Sequence, residues 1–127
     1  MVEFGARHLE QGPPSILLVD DEEGFRYSAT RALEHAGFKV SPVGGYQPAL
    51  EMLQSDKPID LMITDVVMPE GIHGFALARM ARMRRLGMKV LYLTAFDVPT
   101  VEAVGKVLRK PISDEQLVDE VRQALAG

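Results

Sequence analysis

The sequence predicts an α/β fold built on a parallel sheet with helices on both faces. Three observations carry that reading. Short, mostly apolar runs recur from Ser15 onward, long enough only for buried strands. Segments of helical periodicity separate them. The runs are nearly continuous in apolar character, as strands covered on both faces are.

The elements follow in order. Ile16–Val19 is an apolar run ending in Asp20-Asp21, a buried strand. Phe25, Ala29, Ala32, Leu33 and Ala36 share one helix face, and Gly37 supplies the stop. Phe38–Val40 is a shorter strand. Pro48 to Asp56 is a short helix with proline in its first turn. Leu61–Thr64 is the third strand, ending at Asp65. A loop with Met68-Pro69, Gly71 and Gly74 precedes a helix from Phe75 to Leu86, closed by Gly87. Val90–Leu93 is the fourth strand, ending at Thr94. Asp97 to Val104 reads as one or two helical turns. Val107-Leu108 is the fifth strand, ending at Lys110-Pro111. Ser113 and Gln116 have capping-box spacing ahead of a last helix through Leu125. The chain thus reads as a polar tail over 1–14 and one domain over 15–127, without linker or repeat.

Composition bounds the function. At 127 residues and 46% hydrophobic content the chain is one domain with a real core. Fourteen basic against 18 acidic side chains give a net charge of −4, which argues against nucleic-acid binding. The absence of cysteine rules out disulfides and thiolate chemistry and fits a reducing cytoplasm. No apolar run is long enough to span a membrane.

In an open parallel sheet, ligands bind beyond the carboxyl ends of the strands. The polar residues at those ends are Asp20, Asp21, Asp65, Thr94 and Lys110. Taken singly, each has an ordinary structural role: an Asp after a strand is most often a helix cap, and a lone lysine is a surface charge. Taken together they form three carboxylates, a hydroxyl and an ammonium facing one crevice. Clustered carboxylates need a cation, and oxygen ligands point to a hard one, Mg²⁺ or Ca²⁺. Few protein ligands suit Mg²⁺ sharing a phosphate. A carboxylate can act as nucleophile and form an aspartyl phosphate, with metal, Lys and Thr neutralising the phosphoryl oxygens.

The segments ILLVDDEEGFR, LMITDVVMP, VLYLTAF and LRKPI resemble the receiver domain of bacterial two-component response regulators. The resemblance covers Ser15 to Leu125. It implies a flavodoxin-like (βα)₅ fold with a five-stranded sheet of order 2-1-3-4-5. It implies that Asp65 is the phosphoacceptor. Asp20 and Asp21 hold Mg²⁺, with Asp21 the preferred direct ligand, and the backbone carbonyl of Val67 completes the protein ligands. Thr94 is then the switch hydroxyl and Lys110 the conserved-type lysine, its bond to Pro111 usually cis. The implied partners are a histidine kinase or phosphotransfer protein and a downstream protein, with no nucleic acid and no membrane, in the cytoplasm.

Three departures stand out. Thr94 to Lys110 spans 16 positions, about one and a half helical turns fewer than usual, so the fourth helix is expected to be shortened. Val107 occupies the position of the family's aromatic residue three before the lysine, with Phe96 as a substitute. The loop after Asp65 reaches Gly74 one residue late. The chain therefore reads as a phosphorylatable receiver that signals unconventionally. It is either a stand-alone or relay protein or a domain of a longer regulator or hybrid kinase. The competing readings are a metal-dependent phosphohydrolase of the haloacid dehalogenase type, which Glu22 and Val67 fit poorly, and a degenerate receiver that only binds protein. Arg79, Arg82, Arg84 and Arg85 read as a solvated face. The methionines read mostly as core, and His8, His35 and His73 lack metal-ligand spacing.

Overall fold

A computed structural model describes residues 12–69 and 73–127. Most of the expected polar tail, with His8, and loop residues 70–72 lie outside the described residues. The elements are β1 (Ser15–Val19), α1 (Glu23–His35), β2 (Lys39–Val43), α2 (Tyr46–Gln54), β3 (Leu61–Asp65), α3 (Gly74–Arg84), β4 (Lys89–Thr94), β5 (Lys106–Arg109) and α4 (Asp114–Ala126). All four strand pairings are parallel, in the order β2-β1-β3-β4-β5. The expected flavodoxin-like architecture is therefore present. Among the described residues no helix is long and apolar enough to cross a membrane.

Strand alternation explains the unbroken apolar runs. Successive side chains point to opposite faces. Ile16 and Leu18 enter one core layer with Ala29 and Leu33 of α1 and Leu117, Val121 and Leu125 of α4. Leu17 and Val19 enter the other, with Ala49 and Leu53 of α2 and Leu77, Ala78 and Ala81 of α3. Both faces of β1 are thus covered, and no polar side chain fits within the run.

β2 begins one residue later than expected and continues through Pro42 to Val43. Proline lacks a donor and marks a strand boundary in a sequence. Here it is tolerated because β2 is an edge strand, paired only to β1 among the described residues. The end of α1 follows the glycine signal. Gly37 has φ +101°, its N–H donates to Glu34, and Phe38 N–H reaches back to the Leu33 carbonyl. This is the Schellman arrangement, and the side chains of Leu33 and Phe38 join the same core layer. The capping box of Ser113 and Gln116 opens α4 as expected.

The expected shortening of the fourth helix is complete. Residues 95–105 form a strap without helix, with one turn closed by Ala103 N–H on the Thr100 carbonyl at 3.0 Å. Eleven residues connect Thr94 of β4 to Lys106 of β5, and they do so without a helix. It is pinned from three sides. Val104 N–H donates to the Tyr92 hydroxyl at 3.2 Å, Arg79 pairs with Glu102 at 2.7 Å, and Arg109 pairs with Asp97.

The arginines correct the solvated-face reading. Arg85 donates to the carbonyls of Leu53, Met52 and Ser55, closing the end of α2. Arg82 donates to Met88 and Val104. Only Arg84 fits that reading fully, being exposed. Among the methionines, Met62 and Met88 are core as expected, but Met83 is 83% exposed.

Candidate functional site

Parallel strands share one carboxyl edge, and the sequence places its polar residues there. Asp20 directly follows β1, Asp65 ends β3, Thr94 ends β4, and Lys110 directly follows β5. Register fixes their level: Asp65 lies opposite Leu93, and Thr94 opposite Arg109.

The acidic pair is not consumed by helix capping. The N-cap of α1 is Glu22, whose side chain makes no capping bond. Asp20 is 1% exposed, and its Oδ1 accepts the Glu22 N–H at 2.9 Å. Arg26 Nη1 donates to the Asp20 carbonyl at 2.7 Å and fixes the turn from below. Asp21 is exposed. Oxygens of Asp20, Asp21 and Asp65 all lie within 4.8 Å of one another. A set of three carboxylates offers the oxygen donors that a hard divalent cation takes.

Lys110 is the organising cation. Its Nζ lies 2.8 Å from Asp20 Oδ2 and 3.7 Å from Asp65 Oδ2. It also sits over the Phe25 ring, 4.3 Å from the centroid. Its own N–H donates to the Thr94 carbonyl at 2.8 Å, and its bond to Pro111 is cis. Thr94 is buried, and its Oγ1 accepts the Phe96 N–H at 3.1 Å.

The charge balance shows on Asp65. Its carboxyl pKa is pushed up from 3.8 to about 6. Burial is the main cause, with the charges of Asp20 and Asp21 adding to it. Lys110 and the Val66 N–H oppose the rise. Burial and the neighbouring carboxylates thus outweigh the support that Lys110 gives to the ionised Asp65.

The loop after β3 is shaped by one contact. Gly74 N–H donates to the Val66 carbonyl at 2.7 Å. A Cβ at Gly74 would lie 2.1 Å from the Asp65 carbonyl oxygen, so only glycine fits. The sequence offered Gly74 only as a spacing landmark. Val67, two residues past Asp65, is 40% exposed. His73 is exposed at the start of α3.

The structure therefore brings Asp20, Asp65 and Lys110 into direct contact and sets Asp21 and Thr94 beside them. Phe25 and Arg26 were missed as site residues. Phe25 reads as one more apolar residue on the α1 face, and only its position five residues after Asp20 signalled more. At the position of the family's aromatic, Val107 pairs with Tyr92 and packs against the second core layer. Tyr92 is fully buried and meets Phe75 edge to face at 5.0 Å. Phe96 is 59% exposed.

Comparison with known proteins agrees with this geometry. Residues 16–122 match the response regulator receiver domain model. The chain is 36% identical over 116 residues to the response regulator receiver protein CpdR of Brucella abortus, covering 87% of this chain and 95% of that protein. It is 32% identical to the response regulator MprA of Mycolicibacterium vanbaalenii, covering 89% of this chain but 51% of MprA. A receiver protein structure from Sinorhizobium medicae superposes with a TM-score of 0.82 at 30% identity, covering 93% of this chain and 98% of that one. The fold, the carboxylate edge and these matches agree: the chain belongs to the response regulator receiver domain family, a signalling domain of two-component systems.

Proposed function

We propose that Asp65 accepts a phosphoryl group from a phosphohistidine on a histidine kinase or phosphotransfer protein, and that the change is passed to a partner protein. The observation that carries this reading is the Lys110 ammonium set between Asp20 and Asp65 at the carboxyl edge of the sheet. An Asp65 oxygen attacks phosphorus, the new P–O bond forms as the P–N bond breaks, and the imidazole leaves with the bonding pair. Water later attacks the same phosphorus, and the Asp65 carboxylate is the leaving group.

Asp20, Asp21, Asp65 and the Val67 carbonyl are the residues to hold Mg²⁺, which when bound neutralises charge on the phosphoryl oxygens. Lys110 has donors to spare for a phosphoryl oxygen near Asp65, because Asp20 engages one of its three. The Thr94 hydroxyl can donate to another phosphoryl oxygen while still accepting the Phe96 N–H. The 95–105 strap then follows Thr94, in place of a displaced helix. This reading fits a stand-alone or relay receiver in the cytoplasm, or the same domain within a longer protein.

Turnover tests this reading against the phosphohydrolase alternative. With excess acetyl phosphate and Mg²⁺, phosphate release is expected to be slow, set by hydrolysis of the acyl phosphate, and absent in Asp65→Asn. Rapid sustained release from phosphate monoesters, unaffected by Asp65→Asn, would identify a phosphohydrolase instead.

A further inference from the structure

We propose that Phe25 is a positioning residue for Lys110, holding the ammonium between Asp20 and Asp65 with the face of its ring. This rests on the reading of Asp65 as the phosphoacceptor. Lys110 carries a long flexible stem and has to serve two carboxylates at unequal distances, 2.8 Å for Asp20 and 3.7 Å for Asp65. The second distance is too long for a full hydrogen bond. Among the described residues the ammonium has no other hydrogen-bond or ion-pair partner than these two carboxylates. The third contact is the Phe25 ring, 4.3 Å from Nζ to the centroid.

An aromatic face suits this task better than a polar group. The ring quadrupole attracts the cation without accepting a particular N–H. Two ammonium protons thus stay available for an oxygen arriving at Asp65. The ring adds no negative charge to a site that already holds three carboxylates. It also excludes water from one side of the ammonium, which strengthens its pull on the carboxylates. Phe25 can do this because it lies in the first turn of α1, just after the acidic pair. The rest of its side chain packs against the core layer of Ala29 and Leu33, which fixes the ring. A residue that reads as core thereby aims its face at the lysine.

The experiment compares the parent with Phe25→Leu and Phe25→Tyr. Leucine keeps apolar bulk and suits a helix; tyrosine keeps the ring. The first readout is the NMR shift of the Lys110 Hε protons in the metal-free, unphosphorylated protein. Ring current is expected to move them upfield in the parent and in Phe25→Tyr, and Phe25→Leu is expected to return them to the position of an exposed lysine. The second readout is the rate of labelling with acetyl phosphate and Mg²⁺. Phe25→Leu is expected to be about fivefold slower, the size of a partly desolvated cation–π contact, with Phe25→Tyr near the parent. Unchanged Lys110 shifts in Phe25→Leu would overturn the proposal, as would a parent-like rate. A slow leucine variant that tyrosine fails to restore would assign the loss to packing and overturn it too. A parent that takes no label would refute the phosphoacceptor reading, while the Lys110 shifts would still decide whether Phe25 holds the lysine.

Discussion

Lys110→Met is expected to lose roughly 3 kcal/mol of folding stability at pH 7.5 without divalent metal, the typical cost of stranding a buried charge. Methionine keeps most of the apolar stem but loses the ammonium, and with it both ion pairs and the contact with the Phe25 ring. In the parent the ammonium lies 2.8 Å from Asp20, which is 1% exposed, and 3.7 Å from Asp65. Removing it leaves mutually repelling carboxylates without the ion-pair partner that Asp20 and Asp65 share. Asp65 also loses the strongest influence lowering its pKa, so that pKa rises beyond its already elevated value of about 6. The sign follows: a carboxyl that prefers its proton in the fold stabilises below its unfolded pKa and opposes folding above its folded one. The deficit of Lys110→Met should therefore shrink as pH falls from 7.5 toward 5, and Mg²⁺ should recover part of it at pH 7.5. Urea unfolding at both pH values measures this. An equal deficit at both, or none at either, would mean that Lys110 is not the counter-charge of the acidic site.

Asp65→Asn is expected to stabilise the fold above pH 7 by about 1–3 kcal/mol in the absence of metal. The carboxyl pKa is about 6 in the folded protein against 3.8 for the free side chain. A rise of that size corresponds to about 3 kcal/mol, taken as an upper bound. Below pH 4 both states hold the proton, so parent and variant should be alike. Between pH 4 and 6 the unfolded state loses its proton first, and the parent weakens. Above pH 6 the penalty is complete. Asparagine fills the same space without the charge and escapes it. Melting curves across this range, with and without Mg²⁺, should show the gap opening with pH and narrowing with metal, because metal supplies the missing partner. A variant less stable than the parent at pH 7.5 would contradict the strained-carboxylate picture.

Much of this was legible in the sequence, for definite reasons. Strands buried on both faces leave continuous apolar runs, so β1, β3 and β4 announce themselves. Because they are parallel, the polar residue ending each run must share an edge with the others, which places Asp20, Asp65, Thr94 and Lys110 together on sequence grounds alone. The count from Thr94 to Lys110 flagged a deficit in the connection. It did not show that the helix vanishes, because Asp97 to Val104 contains residues that suit either a short helix or a strap. Pro42 hid the end of β2, since edge position is a tertiary property. Arg82 and Arg85 were misread because their partners are carbonyls, which carry no sequence signal: Arg85 closes α2 from 30 or more residues away. The role of Gly74 was hidden for the same reason, its constraint being the Asp65 carbonyl. Phe25 was hidden because its ring faces Lys110, 85 positions further along the chain.

The central claim is that Asp65 is the phosphoacceptor and that the acidic pair serves it through metal. Intact-mass spectrometry after incubation with acetyl phosphate tests it most directly, with and without Mg²⁺, on the parent and Asp65→Asn side by side. The account predicts one added phosphoryl group on the parent with Mg²⁺, and none on the parent without metal or on Asp65→Asn. An unlabelled parent, or equal labelling of parent and Asp65→Asn, would contradict it.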